Sequence, residues 1–246
     1  MMQFSKTILI SIIAFFTMQS PAFTQNDNSR NVNTNTWKAE NVLDEETIKK
    51  HDISFYFKAY PISDDIYNRI WLKSYKKNCT IPRNSLRYIT LLHINKDGKT
   101  QTGEMICNQS IANDLLQIFQ TLYENKYKIE RVVLVDNYQA DDEASMRANN
   151  TSCFNFRQVA GSTMLSKHSK GLAIDINPLI NPCVNTRTGK IEPSTGKPYA
   201  YNRHNKSQNA IQMITTNDLC YKLFIQHGFK WGGSWKTKKD YQHFEK

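Results

Sequence analysis

Apolar residues recur at helical spacing in three separate segments of the chain. Residues 63–78 combine this spacing with acidic residues in the first turn, and residues 110–127 carry one apolar stripe that follows Ser110, a predicted N-cap. Residues 217–229 repeat the pattern, with Gly228 as the stop signal near the end. The spacing therefore predicts three helices with polar stretches between them.

Shorter apolar runs, bounded by turn residues, predict strands. In residues 86–108 two such runs flank the sequence NKDGK, which predicts a β-hairpin. Residues 131–138 contain a β-branched run and residues 172–176 have the sequence LAIDI, so we predict a strand at each. Residues 229–235 and 240–246 are predicted to contribute terminal strands. A hairpin, separate helices and terminal strands together predict an α+β fold.

Two long segments between these elements have the composition of loops. Residues 139–165 are polar and rich in asparagine, and residues 178–208 contain prolines, glycines and asparagines. Binding and catalytic residues are often found on such loops when a rigid scaffold positions them. We therefore expect both segments to surround a functional site.

The first part of the chain has the layout of a secretory signal peptide. Residues 1–24 contain a lysine, then the apolar core ILISIIAFF, then small and polar residues. This core is too short for a stable membrane anchor, although an uncleaved anchor helix is the alternative interpretation. Residues 25–45 are polar and asparagine-rich, which predicts a flexible lead-in. We expect an exported protein, periplasmic or secreted, with a single domain over residues 46–246 and no stable membrane span after cleavage.

Composition narrows the classes of function. The chain of 246 residues has a formal charge of +10, yet its lysines and arginines are spread along the sequence. Because no basic run is interleaved with aromatic residues, the sequence predicts no nucleic-acid site, and binding to another polyanion is the weaker alternative. The five cysteines match neither a zinc ribbon nor a CxxC redox pair.

The stretch SKHSKGLAIDINP, residues 166–178, holds the candidate chemistry. Side chains alternate between the two faces of a strand, so Ala173 and Asp175 share the face opposite to the isoleucines of LAIDI. The small Ala173 leaves room beside Asp175, and Gly171 permits a turn that brings His168 back toward it. An imidazole and a carboxylate held together suit zinc, which in a catalytic site needs a third protein ligand and an open position for water.

The third ligand must come from another part of the chain. The remaining histidines are His51, His93, His204, His227 and His243. His227 lies at a predicted helix end, where a cap or a favourable charge is the commoner role. His243 differs because it follows the run KWGGSW and has Asp240 shortly before it. A carboxylate at that place suits a general base that deprotonates a zinc-activated water.

Two motifs carry a family resemblance. The pattern S-x-H-x-x-G-x-A-x-D extends from Ser166 to Asp175, and W-G-G-x-W with D-x-x-H follows downstream. This combination resembles the zinc D-alanyl-D-alanine carboxypeptidase family, which includes VanY-like enzymes and L-alanyl-D-glutamate endopeptidases. The resemblance covers residues 166–245. It implies a fold shared with the lysostaphin and hedgehog group, in which a small antiparallel sheet bears a zinc site and helices pack against it.

The resemblance also implies roles for individual residues. It implies that His168, Asp175 and His243 are the zinc ligands and that Asp240 is the acidic general base. The D-x-x-H motif matches the endopeptidase branch, since the carboxypeptidase branch generally has a glutamate at the position of Asp240.

One departure from the family pattern concerns an arginine. Many members have an arginine after an aromatic residue, on the strand before the zinc motif, where it would stabilise the oxyanion. At the matching place this chain has Gln139. Arg147 and Arg157 are the nearby substitutes, and we favour Arg157 as the catalytic arginine because it follows two phenylalanines and lies shortly before His168. A surface arginine paired to an acid is the alternative interpretation for Arg157.

The resemblance implies a zinc metallopeptidase that hydrolyses peptidoglycan stem peptides through a zinc-activated water. Ser166 and Trp235 are its candidate substrate-binding residues, and Ser166 has a second interpretation as a residue that fixes the motif loop. The cleaved bond stays open between carboxypeptidase and endopeptidase activity. The alternative function is a non-catalytic, zinc-containing module that binds the cell wall.

Overall fold

The hairpin over residues 86–108 lies at the centre of the fold and confirms the prediction from the NKDGK turn. The computed structural model describes residues 36–159, 162–201, 203 and 213–246. Within these residues the strands are β1 (Lys58–Pro61), β2 (Leu86–Ile94), β3 (Thr100–Asn108), β4 (Ala173–Asp175), β5 (Cys183–Asn185), β6 (Ile191–Glu192), β7 (Lys230–Trp231), β8 (Lys238–Asp240) and β9 (His243–Glu245).

The described strands form small antiparallel sheets. The first has the order β1-β2-β3, and its hairpin pairs Leu86 with Asn108 at one end and Ile94 with Thr100 at the other. The second has the order β4-β9-β7 and the third the order β6-β5-β8. Together with the helices these sheets confirm the predicted α+β class.

The described α-helices are α1 (Glu45–Lys49), α2 (Asp64–Ile70), α3 (Gln109–Glu124), α4 (Asp142–Arg147), α5 (Lys197–Ala200) and α6 (Leu219–Gln226). The longest, α3, packs one apolar stripe against the hairpin. The stripe consists of Ile111, Leu115, Ile118, Phe119 and Leu122, all buried. Each such side chain contributes about 1.5–3 kcal/mol when it leaves water, so this contact is a major part of the core.

The same core fixes the strands that precede and follow the long C-terminal excursion. Ile174 of β4 and Phe244 of β9 are completely buried in it. The ring of Phe224, on α6, stacks on Phe244 with 4.3 Å between the ring centroids. The packing of Ile174 and Phe244 therefore holds the backbone of β4 and β9 in place. The neighbouring side chains, which leave the opposite face of each strand, are positioned by this backbone.

The three predicted helices are present where the sequence predicts them, but their first and last residues differ from the prediction. The first ends at Ile70 rather than residue 78, because the fully buried Ser74 donates its N–H and its hydroxyl to Asp136, each at 2.9 Å, and so leaves the helical path. In α3 the N-cap is Asn108 and not Ser110, since the Asn108 side chain accepts from the Ser110 N–H at 3.0 Å.

The strand predicted at residues 131–138 is wrong. Its apolar residues are buried, but Val133 makes its backbone hydrogen bonds with the side-chain amide of Asn150, at 2.9 and 3.1 Å, instead of with a neighbouring strand. The chain then forms a 3-10 helix at Val135–Tyr138. A side chain thus replaces a strand ladder, which the apolar pattern does not reveal.

The two predicted loops contain short regular elements. The segment 139–165 includes α4, and the described part of 178–208 includes β5, β6 and α5. Residues 160–161, 202 and 204–208 of these segments lie outside the described residues. Elements this short cannot show an apolar period, so the sequence did not distinguish them from loop.

The predicted signal peptide, residues 1–24, lies outside the described residues, and the predicted lead-in 25–45 is described from residue 36. The described part of the lead-in lies alongside β3. Leu43 donates its N–H to the Thr100 carbonyl at 3.0 Å, and Trp37 donates its ring N–H to the Gly103 carbonyl at 3.1 Å. Among the described helices, none is both long and apolar enough to cross a bilayer.

Candidate metal centre

Strand pairing brings two of the predicted ligands together. In the antiparallel pair β4–β9, Asp175 is directly opposite His243. His168 comes from the 3-10 helix Lys167–Lys170, one turn before β4. One donor atom from each of these three residues lies within 4.8 Å of the others, and all three side chains are largely buried. The structure thus brings His168, Asp175 and His243 together in a cluster that could hold a metal ion.

The turn that carries His168 is held by its neighbours in the motif. The Ser166 hydroxyl accepts from the His168 N–H at 3.2 Å and so caps the short helix. Gly171 ends it with a φ of +64°, and a Cβ at this position would lie 2.6 Å from the backbone nitrogen of Asn108. The Gly171 carbonyl accepts from that same nitrogen at 2.8 Å. The glycine is therefore required both by conformation and by the close approach of β3.

Each of the two histidines uses one ring nitrogen for a contact outside the three-residue cluster. This outside contact determines which ring nitrogen faces the cluster. His168 Nδ1 lies 2.6 Å from the Cys153 carbonyl and must donate to it, which leaves Nε2 to face the cluster, 3.3 Å from Asp175 Oδ2. His243 is oriented the other way. Its Nδ1 lies 3.1 Å from Asp175 Oδ1, and its Nε2 lies 3.2 Å from Glu245 Oε2.

The electrostatics of the cluster favour a positive charge at its centre. Burial alone would lower the pKa of His243, but hydrogen bonds with Asp175 and Glu245 outweigh burial and raise this pKa to about 10. Burial would raise the pKa of the Asp175 carboxyl, but His168 and His243 outweigh it and hold this pKa well below its usual range. Two imidazole nitrogens and one carboxylate are the donor set of a catalytic zinc site, so these residues fit zinc.

Asp240 lies at the end of β8, next to the cluster. A Cβ at Gly232 would lie 2.8 Å from the Asp240 Cβ and 3.2 Å from the His243 Cβ, so both residues flank this glycine. Burial raises the pKa of the Asp240 carboxyl, and the charge of His243 opposes that rise. Asp240 Oδ2 lies 3.8 Å from Lys238 Nζ, whereas the buried Oδ1 has no hydrogen-bond partner among the described residues.

The two tryptophans of the WGGSW run have different surroundings. Trp231 is buried and donates its ring N–H to the Tyr241 carbonyl at 2.9 Å, and a Cβ at Gly233 would lie 2.2 Å from its ring. Trp235 is half-buried, and its ring centroid lies 5.3 Å from that of His243. Trp235 is thus beside the cluster, and its role in substrate binding stays a prediction.

The structure pairs the predicted catalytic arginine with an acid. The Arg157 guanidinium forms an ion pair with Asp142 of α4, and its backbone N–H donates to the Ser169 hydroxyl at 2.7 Å. Arg147 is exposed in the last turn of α4, and Gln139 is exposed in a left-handed conformation with a φ of +57°. Arg157 therefore supports the His168 turn through its backbone, and its catalytic role stays a prediction.

The other described histidines have separate roles. Burial lowers the pKa of His93 to about 4, and its Nδ1 lies 2.7 Å from the Ile129 carbonyl, as in a neutral core histidine. His227 pairs with Asp114 at 3.1 Å beside the C-terminus of α6, and His51 stacks on Phe55. His204 lies outside the described residues. Of the candidates that the structure describes, His243 alone joins the cluster.

The groups that hold the cluster side chains in place were not predicted from the sequence. Glu245 is on the strand of His243, two positions later, so period-2 alternation was a signal for it. The Cys153 carbonyl had no such signal, because it is a backbone atom contributed by the segment 139–165. Lys238, which contacts Asp240 and not one of the three cluster residues, shares a face of β8 with Asp240 by the same alternation.

Part of the sequence matches a known protein family. The sequence model of a family described as D-alanyl-D-alanine carboxypeptidase matches residues 160–246, a range that contains the cluster and Asp240. The match confirms the family resemblance of the motifs and supports a peptidase of this type at the level of the family. No curated protein and no solved structure matches the chain.

Proposed function

We propose that this protein is a zinc-dependent peptidase that hydrolyses peptidoglycan stem peptides. The observation that carries the proposal is the buried His168–Asp175–His243 cluster, flanked by an aspartate whose Oδ1 has no partner within the described part of the chain. A carboxylate oxygen that is buried and left without a hydrogen bond is costly, so it suits a group that receives a proton during a reaction. The family match supports the peptide substrate.

The contacts of the three cluster side chains support their role as zinc ligands. His168 would bind through Nε2, His243 through Nδ1 and Asp175 through its carboxylate, while the Cys153 carbonyl and Glu245 hold the other ring nitrogens. When bound in such a site, zinc lowers the pKa of a coordinated water to about 7 and polarises the scissile carbonyl. The cluster offers three protein ligands, which is the number in a catalytic zinc site.

Asp240 acts as the general base. Its Oδ1 accepts the proton of the attacking water and then donates it to the leaving amine, so the same carboxyl serves both halves of the hydrolysis. Burial raises the pKa of Asp240, which brings its basicity closer to that needed at neutral pH. Lys238, at 3.8 Å from Oδ2, keeps the opposite oxygen engaged.

Substrate contacts come from the rim of the cluster. Trp235 provides a half-buried ring beside His243 for the peptide, Ser166 lies at the start of the His168 turn, and Arg157 is our candidate for the oxyanion. The substrate is extracytoplasmic, in agreement with the signal peptide that we predict at residues 1–24. Whether the enzyme removes a terminal D-alanine or cuts an internal bond depends on the loops around the cluster.

A digest of muropeptides tests the proposal. The purified protein is incubated with peptidoglycan and zinc, with and without a chelator, and the products are identified by mass. We expect chelator-sensitive cleavage in the wild type, and we expect Asp240→Ala to bind zinc but to lose turnover. Zinc binding without any product from the wild type would contradict the peptidase and favour the wall-binding module. Near-normal rates in Asp240→Ala would remove Asp240 from the mechanism.

A further inference from the structure

The two histidines of the cluster present different nitrogens and are held by different kinds of acceptor. His168 presents Nε2 because a backbone carbonyl, that of Cys153, takes its Nδ1–H at 2.6 Å. His243 presents Nδ1, and its Nε2 lies 3.2 Å from a side chain, the carboxylate of Glu245. A backbone acceptor survives any substitution at its position, whereas a side-chain acceptor does not. The orientation of His243 therefore depends on the identity of residue 245.

The strand places Glu245 for this task. His243 and Glu245 are two positions apart on β9, so their side chains leave the same face of the strand. β9 is the central strand of its sheet, where Glu245 is opposite Ala173 of β4 on one side and Lys230 of β7 on the other. Because both edges of β9 are paired, the backbone below the two side chains is fixed.

The contact between Glu245 and His243 is specific. Within the described residues, the only ion pair of Glu245 is the one with His243, and the Glu245 side chain is 25% exposed. A neutral imidazole carries one proton on either nitrogen, and the nitrogen that lacks the proton is the one that can bind a metal. When a metal replaces the proton of Nδ1, an acceptor at Nε2 therefore favours the form of His243 whose remaining proton is on Nε2 and whose Nδ1 lone pair faces the metal.

We propose that Glu245 is a positioning residue that fixes His243 with Nδ1 toward the metal and thereby sets the zinc affinity of the site. This inference rests on the metal site of the proposed function, but not on peptide hydrolysis. Carboxylates that orient a ligand histidine typically contribute 10–100-fold to metal affinity. Glu245 touches the ligand and not the reacting atoms.

The test is zinc affinity, measured without substrate by competition with a chromogenic chelator, in Glu245→Ala and Glu245→Gln. We expect Glu245→Ala to bind zinc about 10–100-fold more weakly. Glu245→Gln retains an oxygen that can accept the Nε2 proton, so we expect it to recover most of the affinity. The matched control is Glu130→Gln, because Glu130 has a similarly buried side chain, 21% exposed, that accepts from Asn149 at 2.9 Å and pairs with Lys96 rather than with a residue of the cluster.

Nitrogen NMR of His243 gives a readout that a merely structural role would not move. In the zinc-loaded wild type we expect the remaining proton on Nε2, and in Glu245→Ala at the same zinc concentration we expect a mixture of the two ring forms, with a circular dichroism spectrum like that of the wild type. Wild-type zinc affinity and an unchanged His243 proton in Glu245→Ala would overturn the inference, as would a wild type that binds no zinc. Zinc binding that depends on Glu245 in a protein without peptidase activity would uphold it and contradict the proposed function alone.

Discussion

Asp175 and His243 face each other across β4 and β9, and His243 Nδ1 lies 3.1 Å from Asp175 Oδ1. The two residues are 68 positions apart in the sequence, so the contact exists only when the last strand has docked on β4. A metal held by both residues would join these two parts of the chain. Metal binding would therefore stabilise this sheet.

Zinc should raise the melting temperature of the wild type, because a ligand that binds only the folded state stabilises it by about 2.7 kcal/mol at a hundredfold excess over its Kd. Asp175→Asn should lose this response, since it removes the charged ligand at the centre of the cluster. Thermal unfolding with added zinc and with chelator checks this. His227→Gln is the control, as His227 pairs with Asp114 away from the cluster and should leave the response intact. A full zinc response in Asp175→Asn would contradict the ligand assignment.

Gly232→Ala should damage the site although it adds a single methyl group. The new Cβ would lie 2.8 Å from the Asp240 Cβ and backbone oxygen, and 3.2 Å from the His243 Cβ, so the Gly232 turn would have to move away from β8 and β9. We expect a loss of about 1–3 kcal/mol in the free energy of unfolding and weaker zinc binding. Denaturant titration and chelator competition measure the two effects. Ser234→Ala, at an exposed position of the same turn, should leave both unchanged.

The local features of the site could be predicted from the sequence. The hairpin follows from the NKDGK turn, and α3 follows from one long apolar stripe. His168 and Asp175 belong to one short motif, so their proximity depends only on the Gly171 turn and the direction of one strand. The spacing of residues in the sequence predicts such interactions between near neighbours in the chain well.

Contacts between distant side chains could not be predicted in this way. The prediction of a strand at 131–138 was wrong because the side-chain amide of Asn150 makes the backbone hydrogen bonds of Val133. The helix predicted at 63–78 ends early because Ser74 donates a hydrogen bond to Asp136. The ion pair of Arg157 with Asp142 is of the same kind. The spacing of apolar and polar residues in the sequence does not indicate which distant polar side chains will contact each other or a given backbone group.

The two lysines before Asp240 should have different effects on the pH dependence of activity. Burial raises the pKa of Asp240 and the charge of Lys238 lowers it, so Lys238→Met should raise this pKa further. Since only the ionised carboxylate can accept a proton, the acid limb of kcat/KM should move to higher pH. Lys239 points to the other face of β8, so Lys239→Met should leave the limb in place. Profiles of kcat/KM against pH check both variants, and identical profiles would show that Lys238 does not act on the base.

Arg157 is the site residue whose role most needs a separate test, because the structure pairs it with Asp142. If its guanidinium holds the oxyanion, Arg157→Ala should lower kcat by about 10²–10³-fold, as the loss of an oxyanion donor does. Asp142→Ala removes the partner but leaves the guanidinium, so it should retain most of the activity, and Arg147→Ala should be near normal.

Steady-state kinetics on the three variants, with zinc content measured for each, separates this role from a structural one. Equal and small losses in Arg157→Ala and Asp142→Ala would mean that the ion pair only joins α4 to the segment that precedes His168. A large loss confined to Arg147→Ala would instead transfer the role to the exposed arginine of α4. A large loss confined to Arg157→Ala, at unchanged zinc content, would place its guanidinium on the reacting oxygen and account for the absence of an arginine at Gln139.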